Sequence, residues 1–191
     1  MRANTLINWV FRIMTVLFLS IFCSLAVASE FSADMVVVNG GDTTMYKLYV
    51  KGLKYRMETT EDGQEIVIIV DREANLTRVA IVSEKAYIEM PSNDIRSLMN
   101  DPFQALKVTI DTPGIENNSL GSETVNSIEC DKYALLVEGA EFYTYYMSRK
   151  HEFPIKIILK KSERVTELKN VKESAINDRL FEVPEGFSPM E

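Results

Sequence analysis

From Phe31 onward the apolar residues of this chain recur at every second position. Phe31, Ala33, Met35 and Val37 share one face, and Tyr46, Leu48 and Val50 oppose Lys47 and Lys51. Leu53, Tyr55 and Met57 alternate with Lys54, Arg56 and Glu58, and Ile155, Ile157 and Leu159 alternate with Lys156 and Lys160. A period of two puts successive side chains on opposite faces of a strand. One dry face and one wet face are the mark of antiparallel sheet. Ile66–Val70 departs from this in being apolar throughout, so it is expected to lie centrally and be covered on both faces. Asn39-Gly40-Gly41-Asp42, Lys51-Gly52 and Asp62-Gly63 are turn signals between the runs. The second half continues the pattern over Ser122–Ile128, Cys130–Val137, Glu141–Ser148, Pro154–Lys160 and Arg164–Ser174. About eleven strands are expected, with no internal repeat.

The period changes once. Ile95, Leu98 and Met99 stand at helical spacing after Pro91-Ser92, with Ser92 as the expected N-cap and Asp94 in the first turn. Pro102 is expected to end or kink this helix, and Phe103, Ala105 and Leu106 to form a second short helical turn. Asp111–Gly121 (DTPGIENNSLG) reads as a long loop. Asn177-Asp178 is expected to cap a short turn at Arg179–Phe181.

The N-terminus has a different character. Arg2 and Arg12 are followed by an uncharged, mostly apolar run from Ile13 to Val27 that ends in Ala26-Val27-Ala28. That is the pattern of a secretion signal, cut ahead of Ser29. The run falls short of the ~20 apolar residues of a spanning helix. Phe22 before Cys23 is too large for a lipid-anchor signal. The reading is therefore a signal peptide over residues 1–28 and one β domain over residues 29–191, located in the periplasm, with no transmembrane segment left after cleavage.

Charge and composition remove several functions. The net charge is −7, and it becomes −9 once Arg2 and Arg12 are gone. Nucleic-acid backbones need clustered Lys and Arg, so none is expected as a partner. One His and one Cys remain after residue 28, too few for a zinc site. His151 reads as a solvated turn residue. Cys130, beside Glu129 and Asp131, reads as a packed thiol of raised pKa. Carboxylates alternate with Lys or Arg along strands, which describes cross-strand pairs on a wet face rather than a general acid–base pair. No phosphate loop, nucleophile elbow or calcium loop occurs. No catalytic residue, metal or cofactor is expected, and the protein is not expected to be an enzyme.

What the strands do hold is an unusual stock of Met and Tyr. Met is flexible and polarisable, and suits surfaces that accept varied apolar ligands. A curved sheet of many strands encloses a cavity that one or two short helices only partly fill. Alternation puts Met35, Leu48, Tyr55, Met57, Ile88 and Met90 on its concave side, with Leu98 and Met99 of the helix over them. These eight residues are the expected apolar lining of a ligand site.

Three sets of residues also resemble a known family: Phe31-Ser-Ala-Asp-Met35; Leu48–Glu58 (LYVKGLKYRME) with Ala86–Pro91 (AYIEMP); and Glu123–Tyr133 (ETVNSIECDKY) with Leu180–Phe187 (LFEVPEGF). They resemble a branch of bacterial envelope proteins within the superfamily of the LolA-like outer-membrane lipoprotein carriers, over residues 30–190. The resemblance implies an open antiparallel β-barrel of about eleven strands with short helices plugging its mouth. It implies a carrier or binder of a lipid, of lipoprotein acyl chains or of another amphiphile. The alternative is an envelope interaction or stress-sensing module with a filled barrel and a protein partner. The carriers hold their lid with an Arg inside the barrel. Arg56 is the nearest candidate here, but alternation places it on the wet face, so that role is not transferred.

Overall fold

The computed structural model describes residues 29–190. Residues 1–28, where the secretion signal is expected, lie outside the described residues. The strands, in chain order, are β1 (Glu30–Asn39), β2 (Asp42–Lys51), β3 (Lys54–Glu61), β4 (Gln64–Asp71), β5 (Leu76–Ile81) and β6 (Ala86–Pro91). Two helices follow, α1 (Ile95–Asn100) and α2 (Pro102–Ile110). Then come β7 (Glu116–Val125), β8 (Ile128–Val137), β9 (Ala140–Ser148), β10 (Pro154–Leu159) and β11 (Arg164–Glu173). A 3₁₀ turn (Asp178–Phe181) and the two-residue β12 (Ser188–Pro189) close the chain.

All strands belong to one 12-stranded sheet, in the order β12-β6-β5-β4-β3-β2-β1-β11-β10-β9-β8-β7. Neighbouring strands run antiparallel, apart from the parallel pair β12–β6. The sheet stays open, with β12 and β7 at its two edges. This is the expected mainly β architecture with short helices. β12, one strand more than expected, comes from the C-terminal stretch beyond Phe187.

Tight turns make the hairpins. Asp62 (φ 50) and Gly63 (φ 78) both take positive φ, as a two-residue type I′ connection requires. β4 is covered on both faces, as its composition implied. Ile68 and Val70 join the large cluster with Met57, Phe103 and Leu106, while Val67 and Ile69 join a second cluster with Ala80, Ile176 and Phe181. The C-terminal segment supplies that second cover. It also buries Arg56, contrary to the expected wet face: Arg56 donates to Glu58 Oε1 at 2.6 Å and to the Leu180 carbonyl at 3.1 Å. Lys-and-Arg alternation marks the face away from the core but cannot show that a distant segment lies over it.

The large cluster draws on β1–β4, α2 and β7–β11. Strands from both ends of the order therefore meet around one helix, so the sheet curves with α2 inside it.

The helical region differs from expectation in two ways, at the cap of α1 and in the segment after α2. The N-cap of α1 is Asp94, whose side chain accepts from the Arg96 N–H, while Ser92 is buried and accepts from the Thr77 hydroxyl at 2.9 Å. As expected, α1 stops just before Pro102, which itself begins α2. At the first helical position its missing N–H costs nothing, and Asp101 before it accepts from the Phe103 and Gln104 N–H groups at 3.0 and 3.1 Å. Most of Asp111–Gly121 is strand: β7 starts at Glu116 and leaves only a short connection after α2.

Candidate ligand-binding site

Cross-strand register explains how the expected lining residues come together. Leu48, Met57, Ile68, Val79 and Ile88 are successive partners across β2–β6, and so are Val50, Tyr55, Val70, Thr77 and Met90. Met35 sits opposite Tyr46 and Leu168. Met35, Leu48, Tyr55, Met57 and Met90 are buried on the concave side, and Ile88 is half-buried. Alternation alone was enough to place these six on one face.

What covers them is α2. Phe103 and Leu106 are fully buried against this face. Phe103 packs with Phe153 at 4.7 Å and with Tyr55 at 5.8 Å between ring centroids, and Phe31 meets Phe153 at 5.6 Å. Such tilted and edge-on pairs add about 0.5–1.5 kcal/mol each beyond burial. The start of the helix is fixed electrostatically. The Tyr55 hydroxyl donates to one Asp101 oxygen, and the other oxygen caps α2. Burial pushes the Asp101 carboxyl up and the Tyr55 phenol well up. Arg72, from the β4–β5 turn, lies over the Tyr55 and Phe153 rings at 5.0 and 5.6 Å, and its buried Nε has no hydrogen-bond partner. This Arg, rather than Arg56, reaches the aromatic cluster that receives the helix.

α1 behaves differently. Its buried residue is Ser97, which donates to the Thr77 hydroxyl at 3.0 Å. A ladder of hydroxyls (Ser92, Thr77, Ser97) ties it to the sheet. That ladder, with the placement of Asp101 under Tyr55, turns Ile95 and Met99 outward, at 69% and 66% exposure. Met99 is therefore not laid over the Met35–Met57 rows.

Leu98 and Met99 instead border a pocket of about 280 Å³ between the helices and β9–β11. Pro102, Ala105, Tyr143, Ile157, Leu159, Thr166 and Arg164 complete it. It is apolar apart from Thr166, the Tyr143 hydroxyl and Arg164. Ile157 and Leu159 were legible as an apolar face, and Asp101-Pro102 is a helix-start signature. Nothing local marks Arg164, which heads β11 and reaches the pocket only because β11 lies beside β10.

Two larger hollows, about 480 and 600 Å³, share Lys150, His151 and Glu173 at the other end of the strands. The Lys150–Glu173 ion pair borders both, and both lie more open to solvent than the smaller pocket, so the smaller one suits an apolar ligand better. His151 is not a solvated turn residue: it is 7% exposed and its ring lies 4.9 Å from that of Phe31. The turn folds back under β1, a tertiary contact that polar neighbours in sequence conceal. Its Nδ1 is 3.4 Å from Ser29 Oγ and its Nε2 is 3.7 Å from Glu173 Oε1. Both exceed the ~2.6–3.2 Å reach of proton transfer. Cys130 is fully buried and its thiol is pushed up in the expected direction, chiefly by burial and less by the neighbouring Asp131.

No protein-family model matches the chain, and no curated protein matches it in sequence. Among solved structures, an uncharacterized conserved protein from Thermus thermophilus is similar at TM-score 0.58 and 9% identity, over 85% of this chain and 90% of that one. A chain of the Pseudomonas aeruginosa MucA/MucB complex is similar at TM-score 0.49 and 16% identity. That match covers 81% of this chain and 56% of the other, so the present chain spans little more than half its length. The Mycobacterium tuberculosis lipoprotein LppX is similar at TM-score 0.38 and 13% identity, over 76% and 88% of the two chains. At these identities the likeness is one of fold. One open antiparallel sheet curved around a short-helix plug is the architecture shared with the Thermus thermophilus protein, and it is the mainly β fold with short helices that the sequence implied.

Proposed function

We propose that the protein is a non-catalytic carrier or binder of an amphiphile, a lipid or lipoprotein acyl chain, exported to the periplasm through cleavage of residues 1–28. The observation that carries this reading is the apolar pocket between the helices and β9–β11, continuous in chemistry with a concave face rich in Met and Tyr. Apolar chains gain about 0.8 kcal/mol per CH₂ on leaving water. The proposed lining is Leu98 and Met99 at the pocket, with Met35, Leu48, Tyr55, Met57, Ile88 and Met90 reached when α2 lifts. The Tyr55–Asp101 bond and the Phe103 contacts would hold the helix down between ligands. No described helix is long and apolar enough to cross a membrane.

The test is uptake of a fluorescent fatty acid by the delipidated protein. Met57 is fully buried, so Met57→Asp tests folding. Met99→Asp is the better probe, because Met99 is exposed yet borders the pocket. It should weaken uptake, while Lys54→Asp, away from the pocket, should leave it unchanged. No uptake at micromolar protein would sink the reading. A second reading, an envelope interaction module, is favoured by one observation: Phe103 and Leu106 already fill the space over Met57. That reading becomes the account if no amphiphile binds.

A further inference from the structure

Like Arg72, whose Nε is also buried and unpaired over the Tyr55 ring, Arg164 stands outside the ion-pairing pattern of this surface. Arg56, Arg78, Arg96 and Arg149 each meet a carboxylate at 2.6–3.0 Å. Arg164 meets none among the described residues: one terminal nitrogen donates to the Met99 carbonyl at 3.4 Å, and its buried Nε has no partner. A guanidinium donor withdrawn from water and left unpaired is costly. This one stands at the wall of the apolar pocket, beside Leu159 and Tyr143. The pocket's 280 Å³ is at the lower end of small-molecule sites. It has room for one alkyl chain rather than several.

We propose that this pocket selects a single-chain fatty-acid carboxylate, its chain lying between α2 and β9–β11 and its head paired with Arg164. This rests on the amphiphile-binding reading and narrows it. The planar two-oxygen head of a carboxylate matches the planar fork of a guanidinium. A phosphate monoester carries up to about −2, and one Arg would leave part of that charge unpaired in a protein of net charge −7. Several-chain lipids exceed the space.

The experiment uses protein isolated from the envelope and delipidated, titrated with dodecanoate, dodecanol, dodecyltrimethylammonium and dodecyl phosphate below their micelle concentrations. Dodecanoate should bind at least roughly tenfold more tightly than dodecanol, as a charge-assisted pair predicts, and the cation most weakly. Arg164→Gln should reduce dodecanoate to the level of dodecanol and leave dodecanol unchanged. Arg164→Lys, which keeps the charge without the fork, should fall between and serves if the Gln variant does not fold. Ala105→Phe, filling the pocket, should abolish binding of both. If dodecanol and dodecanoate bind alike, or Arg164→Gln changes nothing, the head-group assignment is overturned while amphiphile binding stands. If dodecyl phosphate binds tightest, the choice of carboxylate is overturned. If no probe binds, amphiphile binding itself fails.

Discussion

β4 and β7 are strands of one sheet with opposite means of support. β4 places Val67 and Ile69 against the C-terminal segment and Ile68 and Val70 against the helix-plugged interior. β7 (ENNSLGSETV) is exposed from Glu116 to Thr124, and only Val125 is buried. β7 is held by its ladder to β8 and by the turn that ends it, where Asn126 (φ 49) and Ser127 (φ 67) both take the conformation of a type I′ hairpin. The Asn126 amide also donates to the Leu168 carbonyl at 2.8 Å, tying the hairpin tip to β11. Burial makes the first strand and backbone pairing makes the second. The free energy of the fold is therefore concentrated in β4 and the interior it faces, and an edge strand can be polar throughout.

The strongest test of that contrast is a matched pair. Ile69→Asp would bury an unpaired carboxylate and should cost ~3 kcal/mol or more, enough to abolish a cooperative thermal transition. Leu120→Asp in β7 should stay within about 0.5 kcal/mol. Equal losses by urea denaturation would mean that β7 carries stability the burial pattern does not show.

The helices repeat the contrast on a smaller scale. Phe103→Ala in α2 should cost ~3–5 kcal/mol, against less than about 0.5 kcal/mol for Met99→Ala on the exposed side of α1. A large effect at Met99 would mean that α1 packs more tightly than its exposure implies. Tyr55→Phe should come next, at ~1–3 kcal/mol, because it leaves a buried Asp101 oxygen without its donor. A neutral result there would show that the bond does not hold α2 in place.

The smallest effect is expected from pH. Burial holds His151 below its ordinary value of 6.5, so the fold favours the neutral ring. The unfolded chain then takes up a proton first as the pH falls. The stability from His151 is intact above 6.5 and is lost as the pH falls from there toward the lowered folded value. The urea midpoint should drop between pH ~7.5 and ~5.5, and His151→Gln should remove part of that drop. An unchanged slope in the variant would assign it to carboxylates instead.

The rows that bring Leu48, Met57 and Ile88 together, and Tyr55 with Met90, were legible from alternation because a strand has only two faces. The double cover of Ile66–Val70 was legible for the same reason: an unbroken apolar run leaves no face for water. Local chemistry marked the Asp62-Gly63 turn and the Asn177 cap, whose bonds span two or three residues. Contacts between distant segments decided the rest. β7 has no apolar signal because its partner, not its side chains, makes it a strand. Met99 turned outward because a hydroxyl ladder from Thr77 set the rotation of a helix too short to choose its own face. His151 went under Phe31, and Arg164 came to the pocket, through pairings between strands far apart in the chain. A period reports which face a residue takes, and only packing determines what that face meets.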